Sequence, residues 1–316
     1  MTSMSSKLLF NTFLVLLMSS SALAAMESVD ELNVTDPSVH TGHYQLNMTN
    51  SFRTTQGRFD KYGDYNAYPD GSNVWSLNTG MGLAYRLNHL WEFSSGFSIR
   101  QSQATYPSGS TQSKSVGNPA VDARYHLNAG VIGHATFHAG MSFPYKWSSM
   151  HTQGQPIKDS SAGGDGMDGN YSSLTARTGV GLSKKIKSFR LGFDGSIAFP
   201  FAQSSPPSDA PDGSPNVLVQ RGPQIMLREG LSYALSHEWS LNSALKQSWS
   251  GARYEDGVEA PGSASRVFST SVGASYIPSK DWRVSGNYET QFPFYAYLVN
   301  QPYSPSVSLG MSYTGL

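Results

Sequence analysis

The sequence predicts an all-β protein, a transmembrane antiparallel up-and-down β-barrel of about 12 strands. Three observations lead to this prediction: apolar and polar residues alternate along most of the chain, short and long connections follow each other in turn, and aromatic residues recur at strand ends. The composition agrees, because 31 glycines and 12% aromatic residues accompany only 14% charged residues. So few charges suit a barrel with a lipid-facing side and a polar lumen better than the surface of a soluble domain.

The first residues have the layout of a secretory signal peptide. Lys7 precedes an apolar run over 8–18, and small residues follow up to Ala25. The apolar run is shorter than the roughly 20 residues of a spanning helix, which disfavours the alternative of a membrane anchor. The domain boundaries that follow are a signal peptide at 1–25, a short periplasmic N-terminal segment at 26–42 and the barrel at 43–316.

Alternation of apolar and polar residues marks the strands, since successive side chains of a strand point to opposite faces. Trp91, Phe93 and Phe97, for example, share one face of their segment, while small polar residues and glycine occupy the other. An even strand number is typical of single-chain bacterial barrels. The apolar faces of the successive segments lie at 44–52, 75–85, 91–99, 121–125, 135–141, 174–182, 189–199, 225–233, 239–245, 268–276, 282–288 and 307–313.

The connections alternate in length, as the periplasmic turns and external loops of outer-membrane barrels do. This pattern places both termini on the periplasmic side. The short connections lie near 88–89, 128–130, 185–187, 236–238 and 278–281. The long connections lie near 53–73, 102–117, 144–170, 200–216, 250–264 and 293–303.

Three of the short turns are flanked by a tyrosine and a tryptophan at the same spacing. Such amphipathic rings prefer the boundary between membrane and water. We therefore predict that they form the periplasmic aromatic girdle, with the two rings of each hairpin on neighbouring strands. The pairs are Tyr85 and Trp91, Tyr233 and Trp239, and Tyr276 and Trp282.

A trial register follows if each hairpin closes on its apolar end residues. Placing Leu182 opposite Phe189 brings Arg177 opposite Asp194 on the inward face, and the next hairpin places Arg228 beside Asp194. Arg177, Asp194 and Arg228 are thus predicted to form a lumen charge cluster. The same alternation turns further charged residues inward, namely Lys246, Glu289, Arg100 and Arg124.

A second lumen contact is predicted between Asp122 and His134, which oppose each other if Tyr125 opposes Val131. Two interpretations of the inward charges remain open. They could form a selectivity ring for an anionic or polar solute, or they could be ion pairs that brace a narrow lumen. Basic residues outnumber acidic ones on the inward face, which favours a mild preference for anions.

Glu229 departs from the outward apolar pattern. By alternation it faces lipid near the middle of its strand, where a carboxylate is unfavourable. A bulge at Gly230 could turn it inward, an oligomer partner could cover it, or the register could differ from the one assumed.

The sequence offers no motif for catalysis. It has no GxSxG, no HExxH and no phosphate-binding loop. His134 and His138 could hold a metal together with Asp122, but they form a weak ligand set. The chain has no cysteine, and its net charge of zero argues against a nucleic-acid partner. We therefore predict no enzyme activity, no catalytic residues, no metal site and no cofactor.

One stretch resembles a known family. The segment SVGNPAVDARYHLN at 115–128, followed by AGMSFP at 139–144, is similar to the outer-membrane transporters of the phenol-degradation meta-cleavage pathway. Members tend to have Gly-Asp before a strand that ends in Arg/Lys-x-Tyr or a close variant, and Pro-Thr-Gly at the end of the next strand. Here Asn118 replaces the Asp and Tyr145 follows Pro144. The resemblance covers one hairpin and implies passage of small solutes, aromatic ones among them.

The function predicted from the sequence is an outer-membrane channel or transporter that passes small solutes through a narrow polar lumen in a Gram-negative envelope. The expected partners are outer-membrane lipid and lipopolysaccharide, the barrel assembly machinery and a small-molecule solute. The alternative is a non-conducting surface barrel that acts in adhesion, envelope structure or host contact through its external loops. Inward glycine and serine favour the channel, whereas the aromatic residues of the first loop favour the alternative.

Overall fold

The computed structural model describes residues 42–107, 109–130, 133–145, 148–154, 173–205, 216–260, 262–292 and 299–315. The signal peptide expected at 1–25 and nearly all of the segment expected at 26–42 lie outside these residues. Every regular element in the described part of the chain is a β-strand. None of the described residues forms a helix long and apolar enough to cross a membrane.

The strands carry the following bounds in chain order: β1 (Tyr44–Thr55), β2 (Gly57–Phe59), β3 (Tyr65–Ala67), β4 (Asn73–Arg86), β5 (Trp91–Tyr106), β6 (Gly109–Val116), β7 (Ala120–Asn128), β8 (His134–Ser142), β9 (Ser148–Gly154), β10 (Thr175–Ile186), β11 (Phe189–Pro200), β12 (Gln203–Ser205), β13 (Val217–Arg221), β14 (Gln224–Ala234), β15 (Trp239–Ser250), β16 (Arg253–Glu255), β17 (Val258–Glu259), β18 (Ser265–Ser279), β19 (Trp282–Gln291), β20 (Gln301–Tyr303) and β21 (Ser306–Gly315).

Twelve of these strands form a closed antiparallel barrel, as the sequence predicted. The order around the ring is β1, β4, β5, β7, β8, β10, β11, β14, β15, β18, β19 and β21. The last strand pairs with the first, from Tyr44 opposite Gly315 to Arg53 opposite Ser306. Apart from short strands in the loops, neighbours in the ring are neighbours along the chain, which is the up-and-down topology.

The barrel wall is apolar outside and polar inside. Leu309 and Val272 are 62% and 56% exposed on the outer face, whereas Ser269 and Thr49 are 1% and 4% exposed on the inner face. A soluble protein shows the reverse distribution, because apolar surface is unfavourable in water. The outer face therefore suits a hydrocarbon environment.

Tight turns set the register of the hairpins. Between β10 and β11, Ile186 lies opposite Phe189, and Lys187 adopts a φ of 55°. This left-handed conformation is typical of two-residue hairpin turns. Between β4 and β5, the side-chain oxygen of Asn88 accepts hydrogen bonds from the backbone N–H groups of Leu90 and Trp91. Both registers differ from the trial register: Phe189 lies opposite Ile186 instead of Leu182, and Tyr85 lies opposite Phe93 instead of Trp91.

The second long connection is largely a β-hairpin. The sequence placed 102–117 in a loop, but β5 continues to Tyr106 and pairs there with β6, while its first half pairs with β7. The chain changes partner at Gly117, whose backbone N–H donates to the Ser98 carbonyl over 2.8 Å. A side chain at Gly117 would meet the Ser98 hydroxyl, because an added Cβ would lie 2.4 Å from it. The hairpin is almost entirely polar, so apolar alternation does not mark it.

Other loops also carry short sheets. In the first, β2 pairs with β3 and with β20, which joins the loop after β1 to the loop before β21. Phe59 is 3% exposed in this sheet, and its ring lies 5.2 Å from that of Tyr65 and 6.4 Å from that of Tyr303. In the second, β12, β13, β16 and β17 pair in that order. The loops thus have packed structure of their own.

Asp60 stabilises the turn between β2 and β3. Its Oδ1 accepts the backbone N–H groups of Asp64 over 3.0 Å and of Tyr62 over 2.8 Å. Both bonds favour the charged form, so they hold the pKa of the Asp60 carboxyl below its usual value of 3.8. A carboxyl with a depressed pKa contributes stability above its ordinary pKa and loses it as the pH falls through the lowered value.

We therefore expect the amide signals of this turn to change with pH with a midpoint below 3.8, the same midpoint as the titration of the Asp60 carboxyl. NMR of the detergent-solubilised protein measures both the amide signals and the titration of the carboxyl. In Asp60→Asn the change of the amide signals should disappear, because the asparagine side chain does not titrate. A folded turn in which Asp60 titrates at or above 3.8 would contradict this account.

Candidate functional site in the barrel lumen

Small polar residues and glycine line most of the inner wall. Ser269, Ser271, Gly273 and Ser275 point inward along β18, while Phe268, Val272 and Tyr276 point outward. Barrels of about eight strands fill their interior with side chains, and those of 16 or more enclose an aqueous channel. Twelve strands lie between these two cases, and small inward side chains fill less of the interior than large ones would.

Charged residues on the inner wall are predominantly basic. Alternation along the barrel strands turns ten basic residues inward: Arg53, Arg86, Arg100, Arg124, Arg177, Lys185, Arg190, Arg228, Lys246 and Arg283. It turns four acidic residues inward: Glu92, Asp122, Asp194 and Glu289. The field inside the barrel therefore favours negative charge.

Asp194 and Arg228 lie on adjacent strands near the centre of the wall. They occupy directly opposed positions on β11 and β14, and Lys246 lies opposite Arg228 on β15. Arg228 is 7% exposed. On the other side of Asp194, the Nε2 atom of His138 lies 3.4 Å from its Oδ2. The Asp194 carboxylate thus lies between His138 and Arg228, and Lys246 lies on the far side of Arg228.

Arg177 is not opposite Asp194, which corrects the trial register. Arg177 lies opposite Ala198, and Asp194 lies opposite Gly181. The two-residue turn after Ile186 moves the register by four positions from the one assumed. Arg177 instead pairs with Asp122 on β7, with its Nη2 2.8 Å from Oδ2 of that carboxylate. The Asp122 side chain is 1% exposed.

The contacts of Arg177 with Asp122 and of His138 with Asp194 both skip a strand, and glycine makes this possible. Gly140 lies opposite Arg177 on one side and opposite Asp122 on the other, so the ion pair passes over it. A Cβ on Gly140 would lie 2.0 Å from Oδ1 of Asp122. The His138 ring reaches Asp194 over Gly179 in the same way, and a Cβ there would lie 2.4 Å from Nε2.

The predicted lumen pair of Asp122 and His134 does not form. Asp122 lies opposite Gly140, and His134 lies opposite Asn128 at the turn end of β8. The assumed pairing of Tyr125 with Val131 was wrong, because Tyr125 lies opposite Phe137. His134 is exposed, whereas Asp122 is buried against Arg177.

The remaining charged residues lie in separate contacts. The Nη1 atom of Arg124 lies 3.2 Å from Oε1 of Glu92, and Nε2 of His126 lies 3.5 Å from Oε2 of the same carboxylate. The Ser269 hydroxyl donates to Oε1 of Glu289 over 2.7 Å. Arg100 lies further along β5 than Glu92, opposite Asn78 on β4 and Ser115 on β6. Glu92 and His126 were not singled out from the sequence, although alternation marks both as inward.

We refer to the mid-wall group on β7, β8, β10, β11, β14 and β15 as the lumen charge belt. These six strands are consecutive in the ring, so the belt covers about half of the circumference. Its members are Asp122, Arg124, His138, Arg177, Asp194, Arg228 and Lys246. Among the described residues, no group of three His, Asp or Glu side chains is placed to hold a metal ion.

The six aromatic residues of the expected girdle lie on the outer face at the end of the barrel where β1 begins. The rings do not pair within hairpins as expected, because Tyr85, Tyr233 and Tyr276 lie opposite Phe93, Leu241 and Val284. Each tryptophan instead packs on a tyrosine of the adjacent hairpin. The ring centroids are 5.0 Å apart for Trp91 and Tyr125, 4.6 Å for Trp239 and Tyr276, and 4.9 Å for Trp282 and Tyr313.

Comparisons with known proteins support the fold. No family model and no curated protein matches the sequence. The COG4313 outer membrane channel from Pseudomonas putida F1 is similar in structure, with a TM-score of 0.66 and 12% identity over 87% of this chain and 96% of that one. The translocator domain of the autotransporter NalP from Neisseria meningitidis has a TM-score of 0.51 and 12% identity over 92% and 95%.

The transport unit of the autotransporter AIDA-I from Escherichia coli has a TM-score of 0.51 and 13% identity over 92% of this chain and 97% of that one. At such identities the likeness concerns the fold alone. The barrel therefore has the architecture of outer-membrane β-barrels, which confirms the barrel type predicted from the sequence.

Proposed function

We propose that this protein is an outer-membrane channel that passes small solutes, with a preference for anions. The observation that carries the proposal is the inner wall, which combines small polar residues with ten basic and four acidic side chains. Small side chains leave space along the wall, and the excess of basic groups would attract anionic solutes into it. The fold shared with the Pseudomonas putida channel supports the same function.

The lumen charge belt is the proposed selectivity element. Asp122 and Glu92 hold the Arg177 and Arg124 guanidinium groups in ion pairs, and basic residues remain in excess in the belt. The same residues would then brace the barrel wall and select among the solutes that pass. An anionic solute would interact in turn with the basic groups on successive strands, a weak multi-site interaction that favours passage.

The orientation we propose has both termini in the periplasm. The short turns lie at the end where β1 begins, and outer-membrane barrels have their short turns on the periplasmic side. The packed tryptophan and tyrosine rings at this end would then form the periplasmic girdle. A signal peptide at 1–25 would direct export, and lipopolysaccharide and the barrel assembly machinery would be encountered in the outer membrane.

Solute flux into proteoliposomes tests this function. We expect vesicles with the purified barrel to swell in isosmotic solutions of small sugars or amino acids, and to admit a small anionic solute faster than a neutral one of equal size. Vesicles without protein are the control. If a folded barrel admits none of these solutes, the alternative gains support: a non-conducting surface barrel that acts through the packed sheets of its loops.

A further inference from the structure

Glu229 is a charged residue at the centre of the outer wall. It is the sixth of the eleven residues of β14, and it lies opposite Phe193 on β11 and Leu245 on β15. Both ladders continue through Gly230 without a register shift, so a bulge does not turn the carboxylate inward. Because the neighbouring Arg228 faces the lumen, alternation directs Glu229 outward, and its side chain is exposed.

Other charged residues on the outer face lie near strand ends. Within the described barrel strands these are Lys184, close to the end of β10, and Arg266, the second residue of β18. Long side chains at such positions can reach the polar boundary of a membrane. The Glu229 carboxylate is too far from either boundary, and no hydrogen-bond or ion-pair partner for it lies among the described residues.

Two side chains with hydrogen-bond donors lie near Glu229 on the outer face of β15. Leu245 lies opposite it on β15, and Ser243 and Gln247 are the next outward residues on either side of Leu245. Diagonal neighbours of this kind lie roughly 7–8 Å apart. We call Glu229, Ser243, Leu245 and Gln247 the β14–β15 outer patch. It combines a carboxylate, which only accepts hydrogen bonds, with a hydroxyl and an amide that can donate them.

We infer that the β14–β15 outer patch binds a second copy of this chain in the membrane. The patch is self-complementary, as an isologous interface requires. A twofold axis along the membrane normal beside Leu245 brings the Glu229 carboxylate of each copy towards the Ser243 and Gln247 donors of the other. Lipid tails offer no donors, so a barrel surrounded only by lipid leaves the carboxylate unsatisfied.

The inference rests on the proposed membrane location but not on conduction. It is tested by cysteine cross-linking in outer-membrane fractions. The chain has no cysteine, so each introduced cysteine is the only thiol of its variant. Leu245→Cys lies at the centre of the patch. Met81→Cys is the matched control, since Met81 is an outward residue near the middle of β4, five strands further round the ring.

We expect oxidation to link most Leu245→Cys chains into a species of twice the monomer mass and to leave Met81→Cys monomeric. Adding Glu229→Leu to Leu245→Cys should lower the linked fraction several-fold, whereas Glu229→Gln should largely preserve it. Heat-dependent migration on gels confirms that each variant is folded. Equal linkage of both cysteines, or linkage of Leu245→Cys to a different protein, would overturn the inference, whatever the flux assay gives.

Discussion

Replacing both Arg228 and Lys246 with glutamine is expected to lower the preference of the channel for anions by roughly threefold to tenfold. The two residues lie opposite each other on β14 and β15, on the basic part of the lumen charge belt. A unit charge about 7 Å from a passing ion contributes about 0.6 kcal/mol in water, which corresponds to a factor of about 3 for each charge removed. Reversal potentials under a salt gradient measure the change.

The matched control replaces Lys184 and Arg266 with glutamine. This pair removes the same two types of charge from the outer face of β10 and β18. Charges outside the barrel wall should have little effect on ions within the lumen, so the reversal potential should stay close to that of the wild type. If the two double variants behave alike, the lumen charge belt does not set the selectivity.

Gly140→Ala is expected to destabilise the barrel by about 3 kcal/mol, because it disrupts a partly buried ion pair whose carboxylate is fully buried. The added Cβ would lie 2.0 Å from Oδ1 of Asp122 and 2.6 Å from the Val121 carbonyl oxygen. The Asp122 carboxylate must then move away from Arg177, its partner at 2.8 Å. Urea-dependent unfolding in lipid vesicles measures the free energy of unfolding.

Gly192→Ala is the control for this substitution. Gly192 is also an inward glycine of a barrel strand, but the nearest heavy atom to an added Cβ is the Leu182 carbonyl oxygen at 4.0 Å. We expect no loss of stability there, and a small gain is consistent with the lower entropy of the unfolded chain. Equal destabilisation by the two substitutions would show that the contact between Arg177 and Asp122 contributes little.

The strand count and the two faces of the wall could be predicted from the sequence, because alternation is a local signal that recurs in each strand. The register could not, since it depends on turn geometry. Lys187 adopts a positive φ that usually marks glycine or asparagine, so nothing in the sequence indicated the two-residue turn that moves Arg177 away from Asp194. The polar hairpin of β5 and β6 lacks the apolar alternation on which strand prediction depends.

The contacts of the lumen charge belt were also only partly predictable. Alternation identified the inward residues, and the structure places Arg228 opposite Asp194. The pairs of Arg177 with Asp122 and of His138 with Asp194 skip a strand over Gly140 and Gly179. Such pairs cannot be predicted from directly opposed residues on neighbouring strands. They form because the intervening strand has a glycine, which has no side chain to block the contact.

Single-channel recording of the wild-type protein in planar bilayers tests the central claim most directly. We expect the protein to give discrete conductance steps. Under a potassium chloride gradient, the reversal potential should have the sign that indicates a preference for chloride over potassium. Steps with a cation preference would contradict the role given to the basic inner wall. A folded barrel that gives no steps would contradict the channel itself.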